Sequence, residues 1–239
     1  MIIEFLNGVH LATLGAGLLL GLLLWLLLRG RTRKTQYITL LALACFNFAL
    51  YFIKILLICR EDWFLPWSNL PLDLCGINLP LTIVALLWKK EWLYNFLYFV
   101  GLLGAGMALL IPNGHFLGSS IFAPLNLLFY GSHMLLVIIP VLLASLGFFR
   151  PTLRAIPKTA GIMLCFSVGM YGINKLIALC TSEAPNYFFL IQSPGNPLLD
   201  LFWKWLPVEF FYALPCLVIL AVADILLVLP FLRRKAEEK

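Results

Sequence analysis

Long apolar runs alternate with short polar breaks from one end of the chain to the other. The runs cover about 9–28, 37–59, 70–88, 92–111, 122–147, 159–180 and 207–232, each near the ~20 residues that cross a ~30 Å hydrocarbon core. The breaks are of two kinds. Those after the first, third, fifth and seventh runs carry Arg29, Arg31, Arg33 and Lys34, then Lys89 and Lys90, then Arg150, Arg154 and Lys158, then Arg233, Arg234 and Lys235. Those after the second, fourth and sixth are poor in Lys and Arg and rich in Trp, Asn, Pro and Gly. Positive charge marks the cytoplasmic flank of a membrane span. The pattern therefore predicts an all-α, polytopic membrane bundle of seven transmembrane helices in one domain over residues 1–239. Its N-terminus is outside and its C-terminus cytoplasmic.

Several runs carry a polar stripe. Cys75, Asn78 and Thr82 fall at i, i+3 and i+7, which is one face of a helix. Asn126, Tyr130 and His133 share a face in the fifth run, Ser167, Tyr171 and Asn174 in the sixth, and Asn47, Tyr51 and Lys54 in the second. Polar groups at membrane depth are costly and tend to face a protein interior or a functional cavity. Counting up from the cytoplasmic flanks at ~1.5 Å per residue puts Cys75, His133 and Asn174 in one layer, roughly 20 Å above the inner edge. Pro71 stands in the first turn of the third run, where its missing N–H costs nothing.

Composition narrows the class. Of 239 residues 62% are hydrophobic and 12% charged, with a mean hydropathy of +0.98, so neither a soluble domain nor a nucleic-acid surface is expected. The net charge of +6 resides in the topogenic loops. The six cysteines show no paired metal spacing and no disulfide framework, and no metal or cofactor is expected. The first run ends in a basic cluster and reads as a signal anchor. Cys45, Cys59, Cys165, Cys180 and Cys216 read as small hydrophobes. His10 and His115 read as interfacial residues, Lys54 and Lys175 as snorkelling side chains. Asp224 lies deep in the seventh run without an evident partner.

A buried thiol alone is inert, but a thiol beside an imidazole makes an acyl-accepting nucleophile. Asn174 is placed to orient the imidazole or to donate to a developing oxyanion. Such a layer suits acyl transfer between membrane lipids. With the same pair, water as acceptor gives a lipid hydrolase. A third reading is a transporter or lipid-binding protein in which Cys75 is dispensable.

Leu70-Pro-Leu-Asp-Leu-Cys-Gly-Ile77, Gly131-Ser-His133, Asn174, Asn186-Tyr187-Phe-Phe-Leu190 and Leu198-Leu-Asp200 together resemble the YwaF-like integral membrane proteins. These are bacterial relatives of the animal transmembrane acyltransferases that remodel ether phospholipids. The resemblance runs from about Pro66 to Leu220. It implies a multi-pass protein of the bacterial plasma membrane with membrane lipids as substrate. It also implies a Cys–His mechanism with Cys75 as nucleophile and His133 as base. Asn78, Tyr130, Asn126, Asp73, Tyr171, Asn186 and Tyr187 join Asn174 as expected substrate-binding or orienting residues. Asp73 departs from the family pattern, in which a His or another polar residue is expected before the Cys. The loop between the sixth and seventh runs is also slightly longer.

Overall fold

The computed structural model describes residues 1–112 and 116–237, so His115 lies outside the described residues. Among the described residues the fold is all-α apart from one pair of two-residue strands. Six helical stretches among these residues are long and apolar enough to cross a membrane: Gly8–Leu28, Arg33–Ile58, Glu91–Leu110, Pro124–Ser145, Ala155–Cys180 and Phe211–Leu232. This is a multi-pass membrane protein. The expected third span is shorter than its apolar run. Its helix, α3, covers Leu74–Trp88 only, about 22 Å at ~1.5 Å per residue. Residues 70–73 form a turn instead of helix, with the Leu72 N–H donating to the Leu70 carbonyl at 2.7 Å.

The chain forms two compact units, Met1–Arg60 with Ile77–Arg150, and Glu61–Gly76 with Pro151–Lys239. In the first unit α6 (Pro124–Ser145) packs against α1 (Gly8–Leu28), α2 (Arg33–Ile58) and α5 (Leu102–Leu110). Gly17 and Gly21 let α1 approach closely. A Cβ at Gly17 would lie 2.9 Å from the Met134 sulfur, and one at Gly21 3.4 Å from Ile138. A stretch of π-helix, Leu97–Gly101, joins α4 (Glu91–Phe96) to α5. Arg33 belongs to the first turn of α2 and not to the preceding loop; Thr32 caps that turn. Its guanidinium donates to the carbonyls of Leu146 and Gly147, at 2.6 and 2.7 Å, just beyond the end of α6. A cation on unsatisfied C-terminal carbonyls is favourable there.

The N-terminus is built into this unit. Strand β1 (Ile2–Ile3) pairs antiparallel with β2 (Ser119–Ser120). His10 is fully buried and not the interfacial residue expected. Its Nδ1 accepts from the Leu6 N–H at 3.1 Å, so its proton is on Nε2, which donates to the Leu109 carbonyl at 2.8 Å. An imidazole satisfies both groups at once where an aliphatic side chain would leave them bare.

In the second unit α7 (Ala155–Cys180) packs on α9 (Pro215–Glu237). The final helix starts later than its apolar run, after a 3₁₀ turn at Phe211–Ala213. The long loop before it is structured. It holds a 3₁₀ turn at Tyr187–Phe189 and an amphipathic helix α8 (Pro197–Trp205), which Asn196 caps. The Tyr212 hydroxyl donates to the Phe189 carbonyl, and Trp203 meets the Tyr212 ring edge-on at 4.8 Å.

Candidate functional site

Cys75 is the second residue of α3, and the turn before it is held from several sides within the second unit. Asp73 is the N-cap. Its carboxylate accepts the Gly76 N–H at 2.7 Å, the cap-to-third-residue bond that starts many helices. Gly76 is required by the same turn: a Cβ there would lie 2.9 Å from both Cα and the carbonyl carbon of Pro71. The first-turn N–H groups of Leu74 and Cys75 have no acceptor one turn back along the helix. They are donors in the same turn as Cys75.

One layer out, the segment leading into α3 is fastened to the loop after α7. Glu183, itself buried, accepts from the N–H groups of Trp67 and Ser68 at 3.1 and 2.8 Å and from the Ser68 hydroxyl at 2.8 Å. The Tyr187 hydroxyl accepts from the Leu70 N–H at 3.2 Å and donates to the Trp67 carbonyl. Tyr187 is fixed in turn by Asn174, which donates to its carbonyl and accepts from its N–H, both at 3.0 Å. Asn174 thus reaches the Cys75 turn through Tyr187. Phe188 and Phe189, at φ 57° and 54°, hold the left-handed backbone region that bulky residues avoid. Asn186 closes the loop, accepting from Ile191 N–H at 3.0 Å and donating to the Gln192 carbonyl at 2.7 Å.

In the first unit, His133 lies mid-way along α6. Its Nδ1 is 2.8 Å from the Phe129 carbonyl. A carbonyl can only accept, so Nδ1 carries the proton and the lone pair of the neutral ring is on Nε2. That tautomer is the one a general base needs. Ser132, the residue before it, accepts from the Asn47 carboxamide at 3.2 Å. Asn78 is buried, and among the described residues its carboxamide oxygen has no partner; the Tyr130 hydroxyl and the Asn47 carboxamide oxygen are in the same position. Asn126 turns to backbone service, donating to the Ser119 hydroxyl and the Ser120 carbonyl, both at 2.9 Å. A cavity of about 520 Å³ in this unit is lined by α1, α5 and α6 with almost wholly apolar side chains, and the polar stripes do not line it.

Tyr171 and Lys175 form a second cluster in the second unit. Lys175 does not simply snorkel: its ammonium is 2.5 Å from Glu209 Oε2, which also accepts from the Tyr171 hydroxyl at 3.0 Å. This contact with Lys175 holds the Glu209 carboxyl below the usual carboxylate range. Asp224 is buried in α9, and neither carboxyl oxygen has a partner among the described residues. All six cysteines are free thiols; Cys75 and Cys216 are half-buried and the others exposed.

Glu183 and Glu209 were not foreseen, because each is a lone acid in a loop whose partners are backbone amides or a distant lysine. A carboxylate just past a helix end, opposite a Pro-Trp-Ser-Asn turn, was the available signal for Glu183.

A family model described as the TMEM164 family matches residues 5–228. No curated protein matches the chain, and no solved structure does.

Proposed function

Since the chain belongs to the TMEM164 family, we propose that it is a membrane-embedded lipid acyltransferase using Cys75 and His133 through an acyl-thioester intermediate. The observation carrying this reading is the placement of Cys75. It lies in the opening turn of α3, which is secured by Asp73, Gly76, Tyr187 and Glu183. Membership of the TMEM164 family supports the acyl-transfer reading, and the resemblance to the YwaF-like proteins supports a bacterial plasma membrane as its location.

In the proposed reaction Nε2 of His133 takes the thiol proton and the sulfur attacks the ester carbonyl of a donor lipid. The tetrahedral oxyanion is met by the N–H donors of the first turn of α3, as backbone donors serve in other acyl-transfer enzymes. Collapse breaks the ester C–O bond, and the leaving alkoxide takes the proton from His133. An acceptor lysolipid hydroxyl then gives its proton to His133 and attacks the thioester, which restores the thiolate and then the thiol. Asn174 and Tyr187 act by positioning the turn that carries Cys75. The topology that goes with this reading has seven crossings, with α3 as the third, the N-terminus outside and the C-terminus cytoplasmic.

The test is incubation of purified protein with a phospholipid and a lysophospholipid, followed by mass spectrometry of Cys75 and of the lipids. The expected result is an acyl adduct on Cys75 alone and chain exchange that Cys75→Ser abolishes and His133→Ala slows severely. Wild-type protein that gains no adduct and exchanges no chains would favour the non-enzymatic lipid-binding reading. Exchange that survives Cys75→Ser would discard this mechanism.

A further inference from the structure

The Tyr171, Lys175 and Glu209 cluster borders a small pocket. Tyr171, Phe210 and Phe211, with Val168 and Glu209, line a cavity of about 190 Å³. The rings of Tyr171 and Phe210 are 5.6 Å apart and inclined at 58°; those of Phe210 and Phe211 are 5.6 Å apart at 88°. Phe210 is held at φ 64°, a costly conformation for a bulky side chain, while its N–H donates to the Leu190 carbonyl at 2.6 Å. The ring is therefore imposed on the pocket by the fold around it.

Carboxylate and aromatic faces together make a site for a cation. The Lys175 ammonium shows which cation the site accepts, since it already sits 2.5 Å from Glu209 and 5.6 Å from the Tyr171 ring centroid. Neither partner is sealed in: Lys175 is 45% and Glu209 35% exposed. Along α7, Lys175 lies 17 residues (175 − 158) beyond Lys158, about 26 Å at ~1.5 Å per residue. That is close to the ~30 Å thickness of a hydrocarbon core, so the ion pair stands at the edge where lipid headgroups begin.

We propose that this pocket binds the headgroup of a phospholipid bearing a primary ammonium. The lipid ammonium replaces that of Lys175 on Glu209 and the aromatic faces, and Lys175 turns to the lipid phosphate. One ion pair becomes two, and Lys175 serves as a displaceable plug when no lipid is bound. An uncharged glycerol headgroup offers Glu209 no cation, and its phosphate is repelled by that carboxylate. The inference rests on the proposed function only in taking the bound lipid to be a reaction partner; the binding itself does not depend on Cys75.

The experiment is native mass spectrometry of the full-length protein in detergent with equimolar dioleoyl phosphatidylethanolamine and dioleoyl phosphatidylglycerol. The unsubstituted protein should retain the ethanolamine lipid at least fivefold over the glycerol lipid. Glu209→Gln should bring that ratio close to one. Phe210→Gly should lower it severalfold while relieving the left-handed backbone, so its loss is not one of folding. Asp62→Asn, in another exposed loop, should leave the ratio unchanged. Equal retention of both lipids, or a preference that Glu209→Gln does not alter, overturns the proposal. Headgroup preference without chain exchange would sink the transferase reading alone. Chain exchange without the preference would sink the headgroup site alone.

Discussion

Replacing Gly76 by alanine sets two opposed effects against each other in the turn that carries Cys75. Within a helix alanine is favoured over glycine by about 1 kcal/mol. Here, however, the new methyl would lie 2.9 Å from two backbone atoms of Pro71 and 3.1 Å from the Asp73 carboxylate. Backbone cannot swing aside as a flexible side chain can, and overpacking of this kind costs about 1–3 kcal/mol. Displacing Asp73 adds the loss of the cap, about 1 kcal/mol. The net expectation is a destabilisation of about 1–3 kcal/mol. Gly169 in α7 is the matched control, since a Cβ there meets nothing within 4 Å and only the propensity gain remains. At ~2–4 °C per kcal/mol for a chain of this size, Gly169→Ala should raise Tm by roughly 2–4 °C and Gly76→Ala should lower it by roughly 2–12 °C. Thermal unfolding of both variants in the same detergent reads the difference, and acylation of Cys75 should slow only in Gly76→Ala. If Gly76→Ala gained stability alongside Gly169→Ala, the turn would not be packed as described, and the positioning of the thiol by Pro71 and Asp73 would fall with it.

Asp73→Ala should cost about 1 kcal/mol, whereas Asp73→Asn, which keeps the cap acceptor, should cost only a few tenths; equal losses in chemical denaturation would show that charge and not capping is at work. Tyr187→Phe strips the hydroxyl from both Leu70 N–H and the Trp67 carbonyl. Leaving such groups unpaired costs about 1–3 kcal/mol, so amide exchange at Leu70 should accelerate, and unchanged protection there would contradict the clamp. The Glu209 carboxyl is held below its usual range by Lys175. Its contribution is therefore complete above the ordinary glutamate pKa of about 4.3 and is lost as pH falls through the lower folded value. The Tm difference between the unsubstituted protein and Glu209→Gln should stay level above about pH 5 and shrink on acidification, and a difference that did not shrink at all below about pH 4 would rule out the ion pair as its source.

Much of the membrane architecture was legible because apolar length is a direct consequence of crossing a bilayer. Each of the six long helices lies on an expected run, with ends shifted by up to eight residues where caps and 3₁₀ turns intervene. α3 shows why boundaries were harder. The run opens at Leu70 with only Asp73 polar before Leu74, yet Pro71 and the capping carboxylate delay the helix to Leu74. Asp73 stood out as a departure in front of the cysteine, and its role as a cap follows from the Gly76 bond. The stripe of Asn174 was visible by helical spacing, but spacing reports a face and not a partner. That its carboxamide is taken up by Tyr187 depends on a loop path no periodicity encodes. His10 was misjudged for the same reason: its partners, Leu6 and Leu109, are backbone groups, and backbone groups leave no mark in the sequence.

The small antiparallel pairing at the N-terminus has a bearing on biogenesis. Ile2 and Ile3 pair with Ser120 and Ser119, the Ile3 carbonyl accepts from the Gly118 N–H, and His10 finds its acceptor at Leu109, 99 residues later. Contacts so distant in sequence close late, because the intervening chain must first be ordered. During synthesis residues 1–10 therefore wait for these partners while α2 to α5 are made. α1 is made before the segments that lock it in place. Partial synthesis that stops before residue 120 would leave a terminus open to proteases, and acquisition of protease resistance at residues 1–10 would time the completion of the first unit.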